Sequence, residues 1–126
     1  MEKDLIKKAI EAMSGSYSPY SNLKVGACLL TKSGKYFKGA NVENVSYSLS
    51  SCAERNAIYP AVNSGEKDFV ALAVISSDPN TFCIPCGACL QVMSEFSKDM
   101  KIIACKSQNE YKIYTIKELL PNLFCL

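Results

Sequence analysis

The sequence predicts an α/β sandwich, and two observations lead to this prediction. Some segments carry apolar residues at helical spacing, others carry the continuous or alternating apolar runs of strands, and the two kinds follow one another along the chain. The length of 126 residues is enough to bury a core without disulfide bonds. We therefore expect residues 1–126 to form one α/β domain with helices packed on a sheet.

Four segments have the apolar spacing of helices: residues 2–13, 52–63, 86–96 and the short turn 116–120. Pro60 lies inside the second of them. Because proline lacks the N–H group that a helix interior needs, we expect Pro60 to kink this helix or to end it early. Pro121 is expected to stop the last turn.

Five segments are predicted to be strands: residues 23–31, 36–40, 69–76, 101–106 and 111–115. The turn residues Lys32-Ser33-Gly34-Lys35 join the first two as a hairpin. The polar residues 41–51 that follow the hairpin are expected to form a loop.

The overall charge is too mild to indicate a nucleic-acid or membrane partner, since the net charge is only +2. No apolar run approaches the roughly 20 residues of a membrane span. The charged start, Met1-Glu2-Lys3-Asp4, has no signal-peptide core. We therefore expect a cytoplasmic enzyme or binding module.

Cysteine is abundant and histidine is absent, with seven cysteines and no histidine. In a reducing compartment, cysteine spacing indicates metal binding or redox chemistry and not disulfides. Any tight zinc site in this chain must then rest on thiolates. Cys28, Cys105 and Cys125 lie among apolar residues, and we expect all three to be packed as small hydrophobic side chains.

Cys52, Cys86 and Cys89 are the candidate zinc ligands. Cys86 and Cys89 are three residues apart at a predicted helix start, where their side chains share a face and the helix dipole favours thiolates. Cys52 supplies a third ligand if its own helix starts opposite. Three protein ligands with a free fourth position are typical of catalytic zinc, whereas structural sites have four.

Glu54 and Arg55 follow the first candidate ligand. Glu54, two residues after Cys52, is placed to carry protons beside the metal without binding it. Three thiolates on Zn²⁺ leave a net charge of −1. Arg55 is the only arginine in the chain, and its permanent positive charge is expected to offset the thiolates.

Two other interpretations of these cysteines stay open. The Cys86–Cys89 pair alone also fits a thioredoxin-like redox site, although Cys52 and Glu54 then have no purpose. Cys83 could instead close a four-cysteine structural zinc site, although Ile84-Pro85 favours an extended approach to Cys86 and not the same helical face.

A series of short motifs covers nearly the whole chain. In order they are Tyr17-Ser18-Pro19-Tyr20-Ser21, Val25-Gly26-Ala27, Gly39-Ala40-Asn41-Val42-Glu43-Asn44, Ser46-Tyr47, Cys52-Ala53-Glu54-Arg55, Pro85-Cys86-Gly87-Ala88-Cys89 and Leu119-Leu120-Pro121. Together they resemble the small, homotetrameric, zinc-dependent cytidine deaminases. The resemblance implies a three-layer α/β/α sandwich around a five-stranded mixed sheet. It also implies one Zn²⁺ per chain and hydrolytic deamination of cytidine and deoxycytidine in pyrimidine salvage.

The resemblance also assigns roles to single residues. Cys52, Cys86 and Cys89 resemble the zinc ligands. Glu54 resembles the group that moves protons between water, ring N3 and the leaving amino group. Asn41 and Glu43, on the same side of an extended segment, resemble the pair that holds the ribose. Further substrate-binding positions, of which the last three reach into a neighbouring subunit, are Leu23, Val45, Tyr47 and Phe124.

Three residues depart from the usual family pattern. Leu23 stands where an aromatic ring packs on the pyrimidine, which is expected to weaken base binding by about 1 kcal/mol. Val45 replaces an alanine and is expected to crowd the region of the 5′-hydroxyl. Leu90 stands where many members have arginine, so the charge and intersubunit contact of that arginine are absent.

Three rival functions stay open at this stage. Deaminases of bulkier cytosine compounds such as blasticidin S share Cys-Ala-Glu and Pro-Cys-Gly with this chain but lack the ribose segment Asn41–Asn44. A polynucleotide deaminase should have a basic, aromatic-lined groove, which the mild charge does not favour. A zinc-stabilised binding module would have the closed four-cysteine site.

Overall fold

The computed structural model describes all residues, 1–126. The helices are α1 (Glu2–Ala12), α2 (Ala53–Asn63), α3 (Gly87–Phe96) and α4 (Ile116–Leu119). The strands are β1 (Val25–Thr31), β2 (Tyr36–Ala40), β3 (Phe69–Ser76), β4 (Lys101–Cys105) and β5 (Tyr111–Thr115). Short 3₁₀ turns lie at Met13–Gly15 and Tyr47–Leu49. No helix in the chain has the length and apolar character that crossing a membrane requires.

The five strands form one mixed sheet in the order β2-β1-β3-β4-β5. Strands β3 and β4 run parallel, and the other three neighbouring pairs run antiparallel. The parallel pair needs a crossover connection, and the segment that contains α3 supplies it. The prediction of a five-stranded mixed sheet is confirmed.

Helices cover both faces of this sheet. On one face, Leu5, Ile6 and Ala9 of α1 form a core cluster with β-strand residues that include Cys28 and Ala73. On the other face, α2 and α3 form a second and larger cluster with alternate residues of the same strands. Successive strand side chains point to opposite faces, so the central strands are buried on both sides. The three-layer α/β/α arrangement is therefore confirmed.

Two glycines let helices lie close to the sheet. A Cβ at Gly39 would come within 2.4 Å of the Ala53 carbonyl oxygen and 2.5 Å of the Ala57 nitrogen, both in the backbone of α2. A Cβ at Gly26 would come within 2.1 Å of the Ala9 carbonyl oxygen in α1. The contact at Gly39 matters for the site, because it fixes the first turn of α2 against β2.

Most of the local predictions agree with the structure, and two do not. Helix α2 continues past Pro60 to Asn63, so the early end is wrong. Pro60 lies on the exposed side of α2, where one missing hydrogen bond leaves the buried stripe undisturbed. Cys28 and Cys105 are fully buried as predicted, but Cys125 is exposed, as are its neighbours Phe124 and Leu126.

Candidate metal centre and active site

The starts of α2 and α3 meet and bring three cysteines together. Cys52 is the N-cap of α2, Cys86 is the N-cap of α3, and Cys89 lies in the first turn of α3. Neither N-cap side chain makes a capping hydrogen bond, so both sulfurs are free for other partners. The three sulfurs lie within 4.8 Å of one another.

The spacing of the sulfurs suits a tetrahedral metal. Zn–S bonds of about 2.3 Å at tetrahedral angles place two sulfurs about 3.8 Å apart. The Cys52 and Cys86 sulfurs are 3.9 Å apart. The residues present therefore fit a zinc ion with three thiolate ligands. Cys83, the fourth cysteine of the closed-site alternative, lies outside this group of sulfurs.

Cys83 differs from the three clustered cysteines in its surroundings. Its backbone N–H donates to the carbonyl of Cys105 at the end of β4, and burial raises the pKa of its thiol to about 12. Its side chain packs on the larger core cluster, and its sulfur is not among the three that lie within 4.8 Å of one another. The structure favours a three-cysteine site over a closed four-cysteine site.

Arg55 contacts the sulfur cluster from α2. Its Nη2 donates a hydrogen bond of 3.3 Å to the Cys52 sulfur, and its buried Nε has no hydrogen-bond partner. Hydrogen bonds to Cys52 and Cys89 raise the pKa of the Arg55 guanidinium above its usual value. The predicted contact between the only arginine and the thiolates is present in the structure.

The pKa values of Cys52 and Cys89 are shifted in opposite directions by their contact. A hydrogen bond from the Cys89 thiol, assisted by Arg55, lowers the pKa of Cys52 well below its ordinary value. The same hydrogen bond, together with burial, raises the pKa of Cys89. Because thiolates are the metal ligands, a metal ion would replace the thiol proton of Cys89.

Glu54 is buried beside the cluster without belonging to it. Its side chain is only 4% exposed, and burial is the main cause that raises its pKa to about 7. A carboxyl group with a pKa near neutrality accepts and gives up a proton with comparable ease. Sequence reasoning placed Glu54 beside the ligands, and the fold puts it there.

A cavity of about 290 Å³ opens on this cluster and contains the predicted ribose pair. Its lining includes Cys52, Cys86, Glu54, Asn41 and Glu43. A second cavity of about 390 Å³ is lined by Tyr20, Ser21, Glu43, Tyr47 and Ser50. Glu43 and Ser50 line both, so the two cavities are neighbours, and together they are called the cleft.

Asn41 already makes hydrogen bonds within the chain. Its Oδ1 accepts from the Val25 N–H at 2.9 Å and from the Ser16 hydroxyl, and its Nδ2 donates to the Leu23 carbonyl at 2.8 Å. These bonds tie the start of β1 to the end of β2. One Nδ2 hydrogen remains for a ligand.

Glu43 is held by the loop that precedes β1. Its carboxylate accepts from the Ser21 hydroxyl and from the backbone N–H groups of Tyr20 and Ser21, at 3.0 and 3.1 Å. The hydrogen bond from the Ser21 hydroxyl is the main cause that lowers the pKa of Glu43 below its ordinary value. The carboxylate is thus ionised and fixed in direction before any ligand binds.

A family model described as "Cytidine and deoxycytidylate deaminase zinc-binding region" matches residues 1–106. The chain belongs to this family. Cytidine deaminase of Halalkalibacterium halodurans is 47% identical over 121 residues, which cover 95% of this chain and 91% of that protein. The probable cytidine deaminase of Dictyostelium discoideum is 41% identical and covers 98% of this chain and 86% of its own length.

Solved structures of the family have the same fold. The crystal structure of cytidine deaminase from Burkholderia pseudomallei superposes with a TM-score of 0.93 at 40% identity, covering 98% of this chain and 99% of that one. Cytidine deaminase from Mycobacterium tuberculosis gives a TM-score of 0.85 at 34% identity, covering 98% and 96%. The fold and the zinc-binding character of this deaminase are thereby shown.

The structure separates the predicted substrate-binding residues into two groups. Asn41, Glu43 and Tyr47 line the cleft. Leu23, Val45 and Phe124 line neither cavity of their own chain, and Val45 and Phe124 are 77% and 71% exposed. Leu90, the departure from arginine, is buried in the larger core cluster, so it contributes packing at that position.

Sequence reasoning gave no role to several residues of the cleft. Tyr20 and Ser21 line the outer cavity, and the rings of Tyr20 and Tyr47 meet edge to face with centroids 6.1 Å apart. Ser50 lines both cavities. Tyr20 and Ser21 belong to the motif Tyr17–Ser21, which is part of the family resemblance and so gave a signal for them. Their contact with Glu43 spans more than twenty residues and could not be read from local sequence.

Proposed function

We propose that this deaminase hydrolyses cytidine and deoxycytidine to uridine and deoxyuridine, with release of ammonia, as a pyrimidine-salvage enzyme. One observation carries the proposal: the buried carboxyl of Glu54 and the three-sulfur cluster open onto the same cavity. A proton carrier and a metal centre that share one small cavity are what hydrolysis of an aromatic amine requires.

The proposed mechanism assigns the metal to Cys52, Cys86 and Cys89 and the proton transfers to Glu54. When bound, zinc supplies a Lewis acid that lowers the pKa of a water molecule. Glu54 accepts one proton from the attacking water and delivers it to ring N3, which makes C4 more electrophilic. Glu54 then passes the second proton of that water to the amino group at C4, which leaves as ammonia. The carboxylate of Glu54 is restored at the end of the cycle.

We assign Asn41 and Glu43 to the ribose. The carboxylate of Glu43 is fixed by Ser21 and accepts hydrogen bonds only, so it suits a sugar hydroxyl as donor. The free Nδ2 hydrogen of Asn41 suits the oxygen of a hydroxyl. Tyr47, in the outer part of the cleft, adds an aromatic wall.

We propose that four copies assemble and share their active sites. The support is an exposed apolar surface beside the cleft, formed by Val45, Tyr47 and Leu49, which are 77%, 75% and 69% exposed. Exposed apolar surface of this kind marks association sites. In this assembly Val45, Tyr47 and Phe124 contact substrate across subunit boundaries, and Leu23 packs on the pyrimidine ring. We place the enzyme in the cytoplasm, because three thiolate ligands need a reducing compartment. We also propose that residues 1–126 act as a single domain.

An ultraviolet assay tests the substrate assignment. The purified chain is incubated with cytidine, deoxycytidine and blasticidin S, and the loss of cytosine absorbance is followed together with ammonia release. We expect turnover of both nucleosides and one zinc ion per chain by metal analysis. Turnover of blasticidin S alone, or zinc without any turnover, would contradict the proposal.

A further inference from the structure

One side-chain amide fixes the backbone near the end of the chain. The Nε2 of Gln91 donates to the carbonyl of Phe124 at 2.9 Å, and the Oε1 of Gln91 accepts from the N–H of Phe124 at 3.2 Å. The side-chain amide of Gln91 thus pairs with both the N–H and the carbonyl of Phe124. Two residues of adjacent antiparallel strands pair in the same way. Gln91 lies on α3, so Phe124 is fixed to the helix that carries Cys89.

The fixed residue presents its side chain to solvent. Leu123 packs against the larger core cluster, whereas the ring of the adjacent Phe124 is 71% exposed. Holding a chain in one conformation costs conformational entropy. A phenyl ring that stays in water gains little burial free energy to offset this cost. An ordered, exposed aromatic ring therefore indicates that its contacts are made with another molecule.

The side chain of Phe124 does not reach the active site of its own chain. Gln91 is two positions beyond the buried Cys89, so their side chains point to different sides of α3. Phe124 lines neither part of the cleft beside Glu54. The exposed apolar residues around the cleft, Val45 and Tyr47, offer a matching surface on a second copy.

We propose that Gln91 is a positioning residue: its amide fixes the Phe124 backbone so that the phenyl ring enters the active site of a second copy of this chain. This inference rests on the shared active sites of the proposed function. Gln91 touches no substrate and acts only through Phe124. Loss of the Gln91 amide frees the tail and lowers the fraction of time in which the Phe124 ring is in place. KM should therefore change more than kcat.

A double-mutant cycle tests this inference, with Gln91→Leu, Phe124→Ala and the double variant. We expect Gln91→Leu to raise KM for cytidine about fivefold, the effect of losing two exposed neutral hydrogen bonds at the low end of their range, with kcat and zinc content near wild type. In the Phe124→Ala background, Gln91→Leu should add nothing. Gln108→Leu, the same substitution at an exposed loop glutamine, is the matched control and should behave as wild type.

Two results would overturn the inference. One is an equal effect of Gln91→Leu on KM with and without Phe124, since Gln91 would then act by another route. The other is unchanged amide hydrogen exchange at Phe124 in the Gln91→Leu variant, which would show that the amide does not hold the tail. The exchange measurement does not depend on turnover. Failure of the wild type to deaminate cytidine would instead refute the proposed function.

Discussion

Replacing Arg55 with alanine should weaken zinc binding without unfolding the chain. The guanidinium donates to the Cys52 sulfur at 3.3 Å, and a second interaction with Cys89 contributes to its raised pKa. A hydrogen bond to a charged group contributes about 1.5–3 kcal/mol. Loss of one such bond corresponds to zinc affinity about 10- to 150-fold weaker at 1.4 kcal/mol per tenfold. Residues that support metal ligands elsewhere have effects of this size.

Competition with a chromophoric zinc chelator measures this change. The wild type, Arg55→Ala and Arg55→Lys are titrated in parallel, and turnover of cytidine is recorded for the zinc-loaded forms. Lysine keeps the charge but not the planar array of donors, so Arg55→Lys should fall between the other two. An Arg55→Ala variant with wild-type zinc affinity and wild-type turnover would refute the electrostatic role of Arg55.

Three further substitutions test other parts of the site and its support. Cys83→Ser should keep one zinc per chain and most of the activity, as measured by metal analysis; loss of the metal would favour a four-cysteine site. Gly39→Ala should destabilise the chain by about 1–3 kcal/mol in urea unfolding and lower its zinc content, because the new Cβ meets the α2 backbone. Gly15→Ala, whose Cβ has only an ordinary contact at 3.9 Å, is its control, and equal effects of the two would contradict this reasoning. Asn41→Asp replaces the donor that faces the Leu23 carbonyl with an acceptor, so it should cost about 1–3 kcal/mol of stability and raise KM for cytidine; an unchanged unfolding midpoint would contradict the observed hydrogen bond.

The metal centre could be predicted because its signal is local. Cys86 and Cys89 are three residues apart, and Glu54 and Arg55 follow Cys52 by two and three residues. The start of a helix favours thiolates whatever the rest of the fold. Only the proximity of the starts of α2 and α3 depends on the tertiary fold. It was expected because catalytic zinc has three protein ligands, and Cys52 had to supply the third.

The surroundings of the site could not be predicted in the same way, because their contacts span long stretches of sequence. Glu43 is fixed by Ser21, which lies 22 residues earlier, and Gln91 is bonded to Phe124, 33 residues later. No periodicity or spacing reports such pairs. The same holds for Cys125: its apolar neighbours indicate burial, but residues 124–126 are exposed in the fold.

The stability of α2 through Pro60 has a similar explanation. Local propensity predicts a break at proline. Tertiary packing of Ala57, Ile58 and Ala61, all fully buried, holds the helix together on its core side. The early-end alternative at Pro60 was therefore wrong, while the predicted range of 52–63 gave the observed end at Asn63.

The central claim is that Glu54 performs proton transfer beside a zinc ion that it does not bind. The most direct measurement compares zinc content and cytidine turnover in Glu54→Ala and wild-type protein from the same preparation. The account predicts one zinc per chain in both and a loss of nearly all turnover in the variant, since general acid–base catalysis alone contributes about 10²–10⁴-fold. A zinc-loaded Glu54→Ala protein that deaminates cytidine at the wild-type rate would contradict it.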